Sequence, residues 1–244
     1  MRLNKYIASC GVCSRREADK LIESGRITVN GALPTPGADV SEEDTVCLDG
    51  KEIKTRKTHN YLAYYKPVGV VCTEKDAHAE KTVIEDLNFP MRVTYAGRLD
   101  RDSEGLLIMT DDGDLIQAMM KGSNKHEKEY EVTVDKDVNG DFLKRMSLGV
   151  YLKELDRTTR PCTVTRTGKR SFNIILTQGL NRQIRRMCSE LGYEVVSLKR
   201  IRVMCVELKS HKLKPGEYDR LTTEEVAKLY RDTKLGDRNG NRRD

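Results

Sequence analysis

Tryptophan is absent from this 244-residue chain, phenylalanine occurs three times, and all aromatics together make up 5%. That argues against a module gripping single-stranded nucleic acid through many stacking platforms. Long apolar runs are missing too. No stretch approaches the roughly 18 residues that a membrane helix needs. The opening segment, MRLNKYIASCG, has no long apolar run behind its basic residues and is read as neither a signal peptide nor an anchor. Cysteines lack pattern: seven stand at 10, 13, 47, 72, 162, 188 and 205. An odd count in a chain too long for a disulfide miniprotein points to reduced thiols and a cytoplasmic protein. The one close pair, Cys10 and Cys13, has no second Cys or His pair beside it to complete four zinc ligands.

What is present is charge. Hydrophobic residues are 37% and charged residues 34% of the chain, a soluble globular composition. The net charge of +6, from 44 basic and 38 acidic residues, is modest, and its distribution says more. Residues 1–31 carry six Lys/Arg against three acids, whereas residues 32–50 carry none against five. The first segment is a basic patch suited to a polyanion.

Along the chain, residues 2–9 and 14–24 have the spacing of two short helices. Ser14 with Glu17 forms a capping-box pattern, and Gly25 stands where a helix end wants a left-handed residue. RITVNG and TVCLDGKEI follow as short strands with turn signals at Asn30-Gly31 and Asp49-Gly50. This unit closes near residue 54, and 55–60 is expected to be a linker. A second domain, 61–232, holds the strand-like runs RVTYA, LLIMT, EYEVTV, FNIILT and RVMCVEL, a helix over 182–191 and a late helix over 222–230. The polar stretch 233–244 is expected to be disordered.

Arg15 and Arg16 fall in the first turn of their helix, where cations oppose the dipole at some tenths of a kcal/mol each. Solvated arginines and a phosphate site are equally compatible with that. The whole run RLNKYIASCGVCSRREADKLIESGRITVNG is similar to the S4 RNA-binding domain, which packs two helices against a small sheet. The resemblance implies Arg2, Lys5, Arg15, Arg16 and Lys20 as RNA contacts.

The densest chemistry is YAGRLDRDSEGLLIMTDDGD, a loop between two strand-like runs. Three readings compete. The series Asp100, Asp102, Glu104, Gly105 with Asp111 imitates a calcium loop, but its fifth and twelfth ligands are wrong and its flanks look like strands. A charged surface turn is always common, and Asp111, Asp112 and Asp114 are expected to form one. The third reading is a nucleophilic carboxylate. GRLDRDSEGLL resembles the signature of pseudouridine synthases, and the second domain resembles the RsuA/RluB/RluE/RluF branch, most of all its RluF type. KPVGVVCT, HEKEYEV, QGLNRQIRRM and LKPGEYDRLT resemble further motifs of that branch, in the right order.

The resemblance implies Asp100 as essential carboxylate, Arg98 as the residue that holds RNA once the base has left its stack, Tyr130 as the stacking face, and Arg185 as the partner of Asp100. Arg182 and Arg186 are expected RNA contacts. With Asn181 as cap, Ile184, Met187, Cys188 and Leu191 form an apolar face, leaving Arg182, Arg185 and Arg186 on the other. The implied fold is α+β: an S4 domain joined to a mostly antiparallel mixed sheet with a central cleft. The implied reaction turns uridine into pseudouridine in structured RNA, most of all 23S ribosomal RNA and also tRNA. It adds no group and oxidises nothing, so neither cofactor nor metal is expected. Covalent addition by the aspartate and proton abstraction from the sugar both remain open. The rival is a non-catalytic S4-type binding or ribosome-assembly protein. A monomer is expected, with no membrane partner.

Overall fold

The computed structural model describes residues 1–55, 58–73 and 80–235. They form two compact units: Met1–Asn60 with the Phe89–Thr94 and Thr110–Gly113 segments, and Tyr61–Asn88 with Tyr95–Met109 and the chain from Asp114 on.

In the first unit, α1 (Leu3–Ser9) and α2 (Arg15–Glu23) precede β1 (Ile27–Val29), β2 (Val46–Leu48) and β3 (Lys51–Glu52). Leu3 and Ile7, one turn apart, are buried with Ala18, Ile27, Val40 and Val46 in one small core. The expected capping box closes α2: Glu17 N donates to Ser14 Oγ at 3.2 Å, and Ser14 N donates to Glu17 Oε2 at 3.0 Å. Both turn signals hold, with Asn30, Gly31, Asp49 and Gly50 all at positive φ. The strands pair antiparallel in the order β1-β2-β3.

Of the expected linker, residues 56 and 57 lie outside the described residues. At its end, Asn60 N and Asn60 Nδ2 donate to the two oxygens of Asp111, each at 2.9 Å, and His59 Nδ1 lies 3.0 Å from Oδ1. Asp111 and Asp112 therefore do not form the solvated turn that the sequence suggests. The Asp111 side chain is 8% exposed and Asp112 is buried, while Asp114 is exposed. Burial works to raise the Asp111 carboxyl, but the Asn60 and His59 bonds outweigh it and hold it below the usual carboxylate range. Asp111→Ala should destabilise the first unit by about 2 kcal/mol, read from urea denaturation. A carboxyl held low in the folded state contributes above its unfolded pKa. The deficit of the variant should therefore shrink as pH falls through the folded value.

The second unit is built on one sheet. In chain order it contains β4 (Tyr61–Lys66), α3 (Val83–Leu87), β5 (Thr94–Tyr95), β6 (Glu104–Thr110), α4 (Gly113–Met120), β7 (Lys128–Val134) and α5 (Gly140–Leu148). Then come β8 (Tyr151–Leu152), β9 (Arg157–Thr158), β10 (Thr163–Arg166), β11 (Ser171–Leu176), α6 (Gln183–Glu190), β12 (Val195–Val203), β13 (Val206–Glu207), α7 (Leu208–His211), β14 (Tyr218–Arg220) and α8 (Thr223–Asp232). The nine-stranded sheet runs β10-β11-β7-β12-β6-β4-β14, with β5 and β13 attached to β6 and β12. β10, β11, β7 and β12 pair antiparallel, whereas β12 and β6 are parallel. The fold is α+β with a mostly antiparallel mixed sheet, as expected. One core lies where α5 and α6 meet β7 and β11, around Phe142, Met146, Phe172 and Met187. Another lies where α4, α7 and α8 meet β4 and β6.

Three expected elements change. RVTYA contributes only Thr94–Tyr95 to a strand. RVMCVEL is not one strand. Met204 sits at φ 53° and folds the chain into a tight hairpin, pairing Val203 with Val206. The long strand instead begins upstream, at Val195. The third helix change, at α6, bears on the site below. Thr233 is buried, its hydroxyl donating to Leu229 O at 2.7 Å, so it belongs to the end of α8. The chain stays ordered to Leu235, whose N donates to Tyr230 O at 3.1 Å, and residues 236–244 of the stretch expected to be disordered lie outside the described residues.

Candidate active site

The loop Arg98–Ser103 joins β5 to β6, and its backbone is held from several sides. Lys66, fully buried, donates from Nζ to Ser103 O at 2.7 Å and to Pro67 O at 2.8 Å. Gly69 N donates to Arg101 O at 2.8 Å, and Leu99 N reaches Cys72 Sγ at 3.4 Å. From below, Arg200 donates from Nε to Leu106 O at 2.7 Å and from Nη1 to Arg98 O at 3.3 Å. Leu99 is buried and its two neighbours are less so: Arg98 is exposed and Asp100 half-buried. The segment KPVGVVCT thus acts as a cradle, which fixes where Asp100 stands.

A second clamp comes from α6. Arg182 makes a bidentate pair with Asp102, Nη1 to Oδ1 at 3.0 Å and Nη2 to Oδ2 at 2.7 Å. Arg185 Nη2 donates to Asp102 O at 2.8 Å, and its Nη1 donates to Val195 O at 3.2 Å. Arg185 Nε lies 3.4 Å from Asp102 Oδ2 without the alignment to donate, so that contact is Coulombic. The Arg182 bonds hold the Asp102 carboxyl below its ordinary range, against its burial. This corrects the sequence expectation: Arg185 reaches the right loop, but its carboxylate partner is Asp102, not Asp100. The helix start is corrected too. α6 begins at Gln183, and its cap is Arg182 at φ 50° rather than Asn181. A left-handed arginine costs about 1 kcal/mol, and the two bonds to Asp102 offset it. Arg186 turns elsewhere, donating to Asn181 O at 3.0 Å and pairing with Glu154.

These elements bound a cleft of about 590 Å³ whose lining includes Arg98, Asp100, Tyr130, Lys128, Arg182 and Arg200. Tyr130 on β7 and Arg200 on β12 are directly opposite in the antiparallel pair, so both side chains leave the same face of the sheet. Lys128, two residues before Tyr130, shares that face. Burial, and then the charge of Arg200, push the Lys128 ammonium down to about 8. Burial pushes the Cys72 thiol up, so this cleft cysteine is a poor nucleophile. Arg185 and Arg186 do not line the cleft. In the first unit, Arg15, Arg16 and Lys20 are exposed without an ion pair among the described residues. Lys5 is half-buried there, and Arg2 lies 3.5 Å from Asp39 and donates to Gly37 O.

A carboxylate with no side-chain hydrogen bond among the described residues, an aromatic face and several cations around a pocket of nucleotide size suit chemistry on a base drawn out of RNA. The family model for RNA pseudouridylate synthase matches residues 60–190, and the S4 domain model matches residues 1–46. The chain belongs to the RNA pseudouridine synthase family. The synthase is 43% identical over 233 residues to the dual-specificity RNA pseudouridine synthase RluF of Escherichia coli strain K12, covering 95% of this chain and 79% of that one. It is 33% identical to the ribosomal small subunit pseudouridine synthase A of Pasteurella multocida, covering 93% and 98%. A crystal structure of a pseudouridylate synthase superposes with a TM-score of 0.70 at 28% identity, over 94% of this chain and 99% of that one. The reaction is therefore the isomerisation of uridine to pseudouridine in RNA, carried by a catalytic unit with an S4 domain at its N-terminus.

Asp100, Tyr130 and Arg98, singled out from the sequence, line one cleft; the sequence did not single out Lys66, Asp102, Lys128 and Arg200 as parts of it. Asp102 had a signal, its spacing of two from Asp100, but the resemblance implies only the Asp of RLD as the catalytic acid. Lys128 stands two before Tyr130 on an alternating strand, and that alternation puts it in the cleft. Arg200 had no signal in the sequence, because a strand arginine is ordinarily solvated.

Proposed function

We propose that Asp100 is the reacting carboxylate, that Tyr130 stacks on the target uracil and that Arg98 fills the space the base leaves. The observation that carries this is the loop's double clamp. The backbone of 98–103 is fixed by Lys66, Arg200 and Arg185, and the Asp102 side chain by Arg182, while Asp100 lines the cleft with no side-chain bond among the described residues. Arg185 acts as a positioning residue through Asp102. The cations Arg15, Arg16 and Lys20, with Arg2 and Lys5, serve residues 1–54 as a surface for folded RNA, read by charge and shape. Residues 61–232 carry the chemistry. We place the synthase in the cytoplasm, as a monomer. The described residues include no helix long and apolar enough to cross a membrane.

The substrate is 23S ribosomal RNA, with tRNA as a second target. The support is the greater identity to RluF, named for dual specificity, than to the small-subunit enzyme. Joining C5 of uracil to C1′ of ribose must expel the hydrogen at C5. Tritium release from 5-tritiated 23S RNA, 16S RNA and tRNA, with chelator present, tests the assignment. Release from 23S RNA and tRNA but not from 16S RNA is expected; release from 16S RNA alone would refute it.

A further inference from the structure

Two cations of the cleft have donors without an acceptor among the described residues. Arg200 is 1% exposed, and while its Nε and Nη1 are bonded, its buried Nη2 has no partner there. Lys128 is half-buried, and its Nζ makes no hydrogen bond or ion pair among the described residues. Its charge is felt by that of Arg200, the neighbour that depresses its pKa after burial itself. Two like charges with open donors in one cleft are costly, and such a pair persists where an anionic ligand completes it.

The ligand group is identified by depth. A backbone phosphate arriving at the cleft meets Arg98, Arg101, Lys121 and Lys125, all exposed and all lining it. Lys128 and Arg200 lie on the sheet face beside Tyr130, where the base goes. The base becomes an anion during the reaction. Heterolysis of the N1–C1′ bond leaves its electron pair on uracil, shared among N1, O2 and O4. The ribose C1′ is taken up by the Asp100 carboxylate as an ester, or relieved by loss of the C2′ proton to it. A pair of electrons from C5 then forms the C5–C1′ bond as the C1′–O ester bond to Asp100 breaks, or as Asp100 returns the proton to C2′, and the C5 hydrogen leaves as a proton. By either route the free base is negative between the two steps.

We propose that Lys128 Nζ and Arg200 Nη2 donate to the carbonyl oxygens of the departing uracil and stabilise its negative charge, which makes them catalytic residues beside Asp100. The inference rests on Asp100 as the reacting group. Dry, pre-set donors aimed at developing charge are among the largest contributors to enzymatic rates. Arg200 also holds two backbone carbonyls, so Lys128, free of structural bonds, is the residue to vary.

The test uses the full chain under single-turnover conditions, on RNA containing uridine or 5-fluorouridine at the target, followed by nucleoside analysis. Fluorine at C5 stabilises the uracil anion by itself, so the reaction then depends less on the cations; with no C5 hydrogen to expel, the new C5–C1′ bond is kept together with the fluorine, water adds across N1=C6, and that product is the one counted. Lys128→Met should slow uridine conversion ~100-fold but 5-fluorouridine conversion only ~10-fold, with RNA affinity unchanged. Lys128→Arg should restore the uridine rate. The intact protein should lose kcat/KM as pH rises through about 8, because the cation is the active form, and Lys128→Arg should abolish that limb. Equal losses on the two substrates would overturn the proposal in favour of a positioning role. Weakened RNA binding with an unchanged single-turnover rate would overturn it in favour of a phosphate contact. Conversion by Asp100→Ala at the rate of the intact protein would sink the role of Asp100, a failure visible apart from anything Lys128 does.

Discussion

Replacing Asp100 by Asn should lower the single-turnover rate of tritium release by at least ~10⁴-fold while leaving RNA affinity intact or slightly improved. The amide fills the same space, and among the described residues Asp100 makes no side-chain bond whose loss could disturb the loop, so the fold has no reason to change. What disappears is the electron pair that either adds to C1′ or takes the C2′ proton. Affinity should rise slightly if anything, because a carboxylate repels phosphate. Asp102→Asn is the informative contrast. It weakens the pairs to Arg182 and Arg185 that anchor the loop, and a displacement of about 1 Å at a reacting group can cost ~100-fold. The two neighbouring aspartates should therefore differ by about two orders of magnitude, the second being partial where the first is complete. Asp100→Asn that keeps a tenth of the rate would transfer the chemistry to another group.

How much of this was legible beforehand depends on the range of the interaction. A capping box at Ser14, and turns at Asn30-Gly31 and Asp49-Gly50, are local devices written within four residues, and they appear as expected. The α+β class follows from alternation and periodicity of the same range. The pairing of Arg185 with Asp102 rather than Asp100 is different in kind. Both carboxylates lie on one short loop, and a shift of two residues in register decides which one the helix meets. The left-handed start of α6 at Arg182 sets that register, and nothing local announces it. Buried charge is equally silent. Lys66 ends β4 and Arg200 lies within β12, and only the assembled sheet shows that their donors reach the carbonyls of Ser103, Arg98 and Leu106. Asp111 was taken for a turn residue because DDGD is turn-like in composition. It is instead a buried acceptor for the chain around Asn60, some fifty residues away in sequence, at |i−j| of 51.

Gly105→Ala should be the most damaging single-methyl change in the catalytic unit. Gly105 sits at φ 108°, where an L side chain is strained whatever the space around it. There is no space either. A Cβ built there would lie 2.3 Å from Arg200 O and 2.7 Å from Arg200 N, both backbone atoms. Arg200 cannot retreat, since its backbone is paired to Gly105 on β6 at one side and to Tyr130 on β7 at the other. Relief requires parting the parallel pair of β6 and β12, the junction at which the Asp100 loop ends and which the Arg200 guanidinium holds through Leu106 O. The expected cost exceeds ~3 kcal/mol, as overpacking and forbidden backbone add. Urea denaturation should show a midpoint lowered by more than ~1 M, and tritium release should fall with it even in the folded fraction. Gly140→Ala is the matched control. Its Cβ would meet nothing within 4 Å at the first turn of α5, so it should be neutral or stabilise by ~0.5 kcal/mol. If Gly105→Ala melts with the intact protein, then the close approach of β6 to Arg200 is not what fixes the loop. The rigid placement of Asp100 would then rest on the Arg182–Asp102 clamp alone.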